Sequence, residues 1–173
     1  MMASNFAPGL MREKFGFSSW KQFDKTLWNE VRADAEEKKK QGEVSLPIIC
    51  GSDSDEILVG TARKNISEAG FSSAIKISLQ DATEDLSPCS DIATGGKPGL
   101  VITNSPYGKR IGQVQLLRTL YYRFGLQLKA HFNGWTAVII TSEQELAQSI
   151  GMRAFRKNTL FNGALISVLY QYR

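Results

Sequence analysis

Gly99-Leu100-Val101-Ile102-Thr103-Asn104-Ser105-Pro106-Tyr107 is the stretch of this 173-residue chain on which its fold turns. Glycine followed by the apolar run Leu100 to Ile102 reads as a buried strand. A polar amide, a rigid proline and an aromatic ring then stand together at its carboxyl end, before the basic loop Gly108-Lys109-Arg110-Ile111-Gly112. In open α/β sheets, ligands bind at the carboxyl ends of strands. Asn104 can accept hydrogen bonds from an NH₂ group through its amide oxygen. Pro106 fixes the backbone so that a neighbouring carbonyl can do the same. Tyr107 offers a face for stacking. The group can therefore hold a flat base bearing an exocyclic amine. Asn and Pro are also common in plain strand-to-loop turns, so the surrounding elements have to decide.

Downstream, Val114, Leu117, Tyr121, Phe124 and Leu128 mark a helix. Trp135 to Thr141 reads as a strand and Glu143 to Ile150 as a short helix. Arg153 to Phe161 and Leu165 to Tyr172 flank Asn162-Gly163, a hairpin signal. Upstream, Leu46 to Gly51 is an apolar strand, followed by Ser52-Asp53-Ser54-Asp55 and a helix that Gly70 ends. Ala74 to Leu79 is a strand closing on Gln80-Asp81-Ala82. Ser18 to Gln41 is amphipathic, with Trp20, Phe23, Leu27, Trp28 and Val31 at helical spacing. Ser18 or Ser19 is the expected cap and Gly42 the expected stop. Strands alternating with helices imply parallel pairing through crossover helices. The expectation is an α/β, Rossmann-like sheet of about six strands, mostly parallel, with a carboxyl-terminal antiparallel hairpin. Residues 1–45 form a helical segment and 46–173 the α/β core of a single domain.

Composition narrows the function classes. A net charge of +4 and a pI near 9.1 permit nucleic-acid binding without demonstrating it. Lys38-Lys39-Lys40 fits a solvated helix end. No apolar stretch reaches membrane-spanning length, and the opening residues do not form a secretory signal. Cys50 and Cys89 lie far apart, Cys50 as a buried thiol in its strand, and no metal-ligand spacing is present. A reducing cytoplasm fits.

Three strand ends carry polar residues in order: Asp53, Asp81 and Asn104. A carboxylate just past a strand can accept from both ribose hydroxyls, the role read for Asp53, while Asp55 is placed to cap the helix after it. Asp81 fits either an acceptor for an adenine amine or a turn residue. Gly95-Gly96 enters a strand rather than leading from strand to helix, so it is not a phosphate cradle. His131 has no nucleophile near it in sequence and reads as structural. Ser105 lacks the Gly-x-Ser-x-Gly context of a hydrolase elbow. Lys109 and Arg110 fit phosphate contacts or a solvated loop.

Several motifs in this order resemble the catalytic domain of bacterial 23S rRNA guanine-N2-methyltransferases, the THUMP-containing RNA methylase group. They are Ala7-Pro8-Gly9-Leu10 with Phe15-Gly16-Phe17 and Trp20, Gly51-Ser52-Asp53-Ser54-Asp55, and Asp81-Ala82. Asn104-Ser105-Pro106-Tyr107-Gly108 with Arg110, Gly134-Trp135, and Asn162-Gly163-Ala164 complete the set. The resemblance implies S-adenosylmethionine (SAM) as methyl donor and 23S rRNA as partner. It implies Asp53 at the SAM ribose, Asp81 and Ala82 at its adenine, and Asn104, Ser105, Pro106 and Tyr107 around the target amine, with Asn104 also facing the cofactor. It implies RNA contacts from Lys109 and Arg110. Adenine N6 presents an equivalent amine, so a DNA or RNA adenine methyltransferase stays open, as does a non-catalytic RNA- or partner-binding remnant. A nicotinamide dehydrogenase is disfavoured, since no Gly-x-Gly-x-x-Gly occurs. Two departures stand out. Ser105 replaces the first proline of the usual Asn-Pro-Pro-Tyr, so looser alignment of the base is expected. The family's first strand and glycine-rich SAM loop find no match, and Met1-Met2-Ala3 resembles the middle of the helix after that loop. The expectation is a fragment that is inactive alone, its sheet gap closed by rearrangement or by a second copy.

Overall fold

The computed structural model describes residues 4–44, 46–87, 98–107, 114–162 and 165–173. In chain order these form α1 (Lys25–Val44), β1 (Ile49–Asp53), α2 (Glu56–Glu68), β2 (Ile75–Leu79), β3 (Leu100–Thr103), α3 (Val114–His131), β4 (Thr136–Thr141), α4 (Gln144–Ser149), β5 (Ala154–Asn162) and β6 (Leu165–Tyr172). The chain falls into two compact units, Cys50–Ala62 with Ile77–Arg173 and Met1–Ile49 with Arg63–Lys76.

The strands form two sheets rather than the single one expected from the sequence. One has the order β3-β4-β6-β5 and the other pairs β1 with β2. β3 and β4 are parallel, with Leu100 opposite Thr136 and Thr103 opposite Ile139. β1 and β2 run the same way, since Ile49 N–H donates to Ala74 O and, further along both strands, Gln80 N–H donates to Asp53 O. β6 is antiparallel to both β4 and β5. The terminal hairpin is therefore as expected, but the antiparallel part extends to β4. A sheet is continuous only where its ladder is, and among the described residues β1 pairs with β2 alone and β3 with β4 alone. In the hairpin, Ala154 faces Tyr172 and Arg156 faces Gln171, so Phe155 is the extra residue of a bulge.

In the larger unit, α3 buries Tyr121, Phe124, Gly125 and Leu128. They join Ala137 and Ile139 of β4, Leu146 and Ala147 of α4, Ile150, and Tyr170 and Tyr172 of β6 in one core. A Cβ on Gly125 would lie 2.0 Å from Ile150 O, so this glycine is what lets the two backbones meet. The Tyr172 hydroxyl donates to Ala147 O at 2.9 Å.

The smaller unit has its own core of Phe6, Ala69 and Phe71, with Leu10, Leu46, Ile66 and Ile75 around it. Helix α1 starts later than expected. Asp24 Oδ1 accepts from Thr26 and Leu27 N–H, capping the helix. The expected cap, Ser18, bonds instead with Phe15 in a separate 3₁₀ turn, Gly16–Ser19. Gly42 does not stop α1. It lies inside the helix and is buried, and a Cβ there would come 2.0 Å from Ser4 O. Cys50 is half-buried in β1 rather than buried.

Candidate functional site

Asn104 follows directly on β3 and is exposed. Ser105, next in the chain, is buried, and its Oγ lies 3.3 Å from Thr103 Oγ1. Pro106 O accepts a hydrogen bond from the Tyr121 hydroxyl at 3.3 Å. Tyr107 is half-buried and packs against the main core. Tyr121 is fully buried, and that burial raises its phenol pKa against the opposing pull of hydrogen bonds with Thr141 and Ser105. Thr141 ends β4 and is itself buried, with Oγ1 accepting from Glu143 N–H. Helix α3 thus sits under the Asn104–Tyr107 segment and holds it by one phenol.

The two aspartates lie at the corresponding end of the other sheet. Asp53 is the last residue of β1, and its carbonyl bonds Gln80 N–H, next to Asp81. Asp53 Oδ1 accepts from Asp55 N–H at 2.9 Å. Asp55 caps α2 through Ile57 and Leu58 N–H, the role expected of it. Asp81 Oδ1 accepts from Thr83 N–H at 2.7 Å, and the Asp81 carbonyl accepts from Glu84 N–H. The Thr83 hydrogen bonds hold the Asp81 carboxyl below its usual value, with a smaller contribution from the Arg123 guanidinium on α3. Ala82 is exposed in the same turn. Both carboxylates are exposed, and each is oriented by one loop amide. A carboxylate can accept about four hydrogen bonds, so both retain capacity for a ligand's hydroxyls or amine.

Helix α3 connects these parts. The 81–87 loop docks on it through Leu86 N–H to Gln127 Oε1 at 3.4 Å and through Asp85 to His131 Nε2 at 3.2 Å. Ser87 lowers the Asp85 pKa by donating from both N–H and Oγ. His131 therefore has the structural role its sequence position suggested. The same helix carries Tyr121 beneath Pro106. Tyr121 is the residue that sequence periodicity placed only in the core. Its one available signal was a tyrosine where phenylalanine would pack, because a buried phenol needs a partner.

Lys109, Arg110, Gly108, Gly95, Gly96, Cys89, Gly163 and Ala164 lie outside the described residues. Among the described residues, no cluster of His, Cys, Asp and Glu could hold a metal. Nor is any helix among them long and apolar enough to cross a membrane. A shallow cavity of about 360 Å³ between α4 and the hairpin is lined by Gln144, Gln148, Arg153, Lys157 and Tyr170, and by none of the residues above.

Residues 1–171 match the family described as RMKL-like, methyltransferase domain. Among curated proteins, the chain is 40% identical over 172 residues to "Ribosomal RNA large subunit methyltransferase K/L" of Methylococcus capsulatus, covering 99% of this chain and 22% of that protein. It is 37% identical over 165 residues to the protein of the same name from Syntrophotalea carbinolica, covering 95% of this chain and 23% of that one. The chain thus spans less than a quarter of the curated relatives it matches. Among solved structures, it is similar to "SMU.472, a putative methyltransferase complexed with SAH", at a TM-score of 0.81 and 31% identity, over 99% of this chain and 43% of that one. It is also similar to a predicted N6-adenine-specific DNA methylase from Listeria monocytogenes, at a TM-score of 0.79 and 28% identity, over 99% and 41%.

Proposed function

The chain belongs to the RMKL-like methyltransferase domain family, and from that premise we propose that it carries a methyl-transfer site for an exocyclic base amine in large-subunit ribosomal RNA. The observation that carries this reading is Asn104-Ser105-Pro106-Tyr107 standing at the end of β3 on the helix that also mounts the Asp81 loop. Asp53 and Asp81 suit SAM, since two exposed carboxylates at neighbouring strand ends match a ribose diol and an adenine amine. When bound, SAM supplies an electrophilic methyl on sulfur.

The residues of the chain then do three things. Asn104 Oδ1 and the Ser105 carbonyl accept the two N–H bonds of the amine, which draws electron density onto nitrogen and aims its lone pair. Tyr107 stacks on the base, which must leave its own stack to arrive. Accepting that methyl group would require the amine to release one proton, and Asn104, exposed at the site, leaves water within reach to take it. Positioning supplies much of the rate. Lys109 and Arg110, next along the chain, contact RNA phosphates. The preferred target is guanine N2 of 23S rRNA, in the cytoplasm. The name of the Listeria neighbour favours adenine N6 as the second reading.

The test is methyl transfer from labelled SAM to rRNA by the protein containing this chain, with nucleoside analysis of the product. N2-methylguanosine is expected, and N6-methyladenosine would establish the second reading. Asn104→Ala should lower kcat by roughly 100-fold, as for other oriented polar groups, with SAM affinity unchanged. Parental activity in that variant would remove the segment from the mechanism. Among the described residues β3 ends its sheet, and we infer that this edge pairs with a second copy. Light scattering at the monomer mass would reject that.

A further inference from the structure

The cavity between α4 and the hairpin belongs to no part of the site described above, yet its lining has a consistent chemistry. Gln144 and Gln148 stand one turn apart on α4, Arg153 precedes β5, and Lys157 lies within β5 beside Tyr170 of β6. Among the described residues no acidic side chain lines it. Among them, too, these two cations and two amides make no side-chain hydrogen bond or ion pair. Of the two glutamates flanking Gln144, Glu145 is paired with Arg118 and Glu143 lies beside Ser142. Lys157 Nζ sits 5.4 Å from the centroid of the Tyr170 ring, which restrains the ammonium at the cavity wall. A cationic recess without acids, its N–H donors unspent, suits an anion with several oxygens to share. We propose that this cavity holds a phosphodiester group of single-stranded RNA between Arg153 and Lys157. The inference rests on the methyl-transfer reading for the choice of RNA, and on the cavity alone for the anion.

The strand ladder puts the cavity level with the candidate site. Thr103, the last residue of β3, is opposite Ile139, Ile139 is opposite Tyr170, and Tyr170 is opposite Lys157. Residues directly opposite share a face of the sheet. Lys157 therefore stands on the same face as Thr103, across three strand spacings, or roughly 14 Å. Asn104 follows Thr103 in the chain. A single strand whose unstacked base reaches Asn104 thus carries the phosphates of nearby nucleotides to the β5 edge. Phe155, between Arg153 and Lys157 in sequence, is 59% exposed and offers its ring to one of their bases. An inorganic anion would have no use for that ring.

The test is fluorescence anisotropy of a labelled single-stranded RNA of about 12 nucleotides, a length one single-strand site can cover. It is titrated with the protein containing this chain at several salt concentrations. The cavity variant is Arg153→Gln/Lys157→Gln. The control, Lys38→Gln/Lys64→Gln, removes the same charge from surface ion pairs elsewhere. Each phosphate contact contributes about 0.7 to the slope of log affinity against log salt for a single strand. The cavity variant should therefore lose about 1.4 from the slope, which is roughly 25-fold in affinity at 0.1 M salt, and the control should lose neither. Phe155→Ala should weaken binding by about fivefold or more with the slope unchanged. In methyl transfer, the cavity variant should raise KM for RNA and leave kcat and KM for SAM unmoved. A parental slope in the cavity variant, or an equal loss in the control, would overturn the proposal. So would parental affinity in Phe155→Ala, or displacement of the RNA by micromolar inorganic phosphate, because the cavity would then take a free anion. If the slope changes as expected but the parent transfers no methyl group, the methyl-transfer reading fails and the cavity stands. If the parent transfers methyl and the slope does not change, the reverse holds.

Discussion

Helices α1 and α3 are nearly matched in length, 20 and 18 residues, and both space apolar residues at the helical period. Their environments differ completely. α3 buries Tyr121, Phe124, Gly125 and Leu128, whereas α1 buries Gly42 alone and leaves Leu27 and Val31 exposed. α1 combines local support, the Asp24 cap and the i,i+4 pairs Arg32–Glu36, Lys38–Asp34 and Lys39–Glu43, with contacts to the segment before it: Trp28 against Phe15 and Phe17, Lys39 over the Phe6 ring and Gly42 against Ser4. α3 is held mainly by its buried face. The same sequence period thus yields one helix with a broad buried face and another with a few contacts and many surface pairs.

That contrast can be broken by experiment. The largest effect should come from Gly125→Ala, which drives a Cβ into Ile150 O and should destabilise the larger unit by about 3 kcal/mol in denaturant melts. Gly42→Ala creates a clash of the same 2.0 Å with another backbone atom, Ser4 O, and should cost the smaller unit about 1–3 kcal/mol; a negligible loss would show that this buried contact does not hold α1. Tyr172→Phe strands the Ala147 carbonyl and should cost about 1–2 kcal/mol. Asp24→Ala should cost about 1 kcal/mol, seen as fraying of α1 by amide exchange with α3 unchanged. Raising salt to about 1 M should weaken α1 by only a few tenths of a kcal/mol per pair, and α3 by no more through its exposed Arg118–Glu145 pair.

The smallest effect concerns acid. The Asp81 carboxyl is held below its ordinary value of 3.8 by the Thr83 hydrogen bonds. Its folded pKa lies below the unfolded one, so its contribution is fully present above that range. The contribution is lost as pH falls through the folded value. NMR should show the Thr83 amide shifting only below about pH 4, and a shift near neutral pH would contradict the hydrogen bond.

Legibility in the sequence followed the same divide. Val114, Leu117, Tyr121, Phe124 and Leu128 named α3 because its period is enforced by a core, and Asp55 was readable as a cap because capping is local. The start of α1 was not readable. Ser18 and Asp24 are both good caps, and the choice fell to the bonds between Ser18 and Phe15, which make a separate turn. The split between the sheets was also hidden, since each strand's own pattern says nothing about which neighbour completes its ladder. At the candidate site, the strand-end positions of Asp53, Asp81 and Asn104 were visible. The support beneath them was not, because Tyr121 reaches Pro106 across 15 residues and Thr141 comes from another strand.

The bulge at Phe155 has a consequence for colloidal behaviour. The four-stranded sheet has two ends, β3 and β5. At β5 the extra residue interrupts the ladder, and the exposed cations Arg156 and Lys157 follow it directly. An incoming strand would meet a kink and positive charge, both of which discourage strand-on-strand growth. β3 is short and straight in register, with Leu100 and Ile102 59% and 70% exposed and no charged residue along it. Among the described residues, the four-stranded sheet therefore presents one end that resists an added strand and one that lacks charge, so any strand added to this sheet would go to β3 and not to β5.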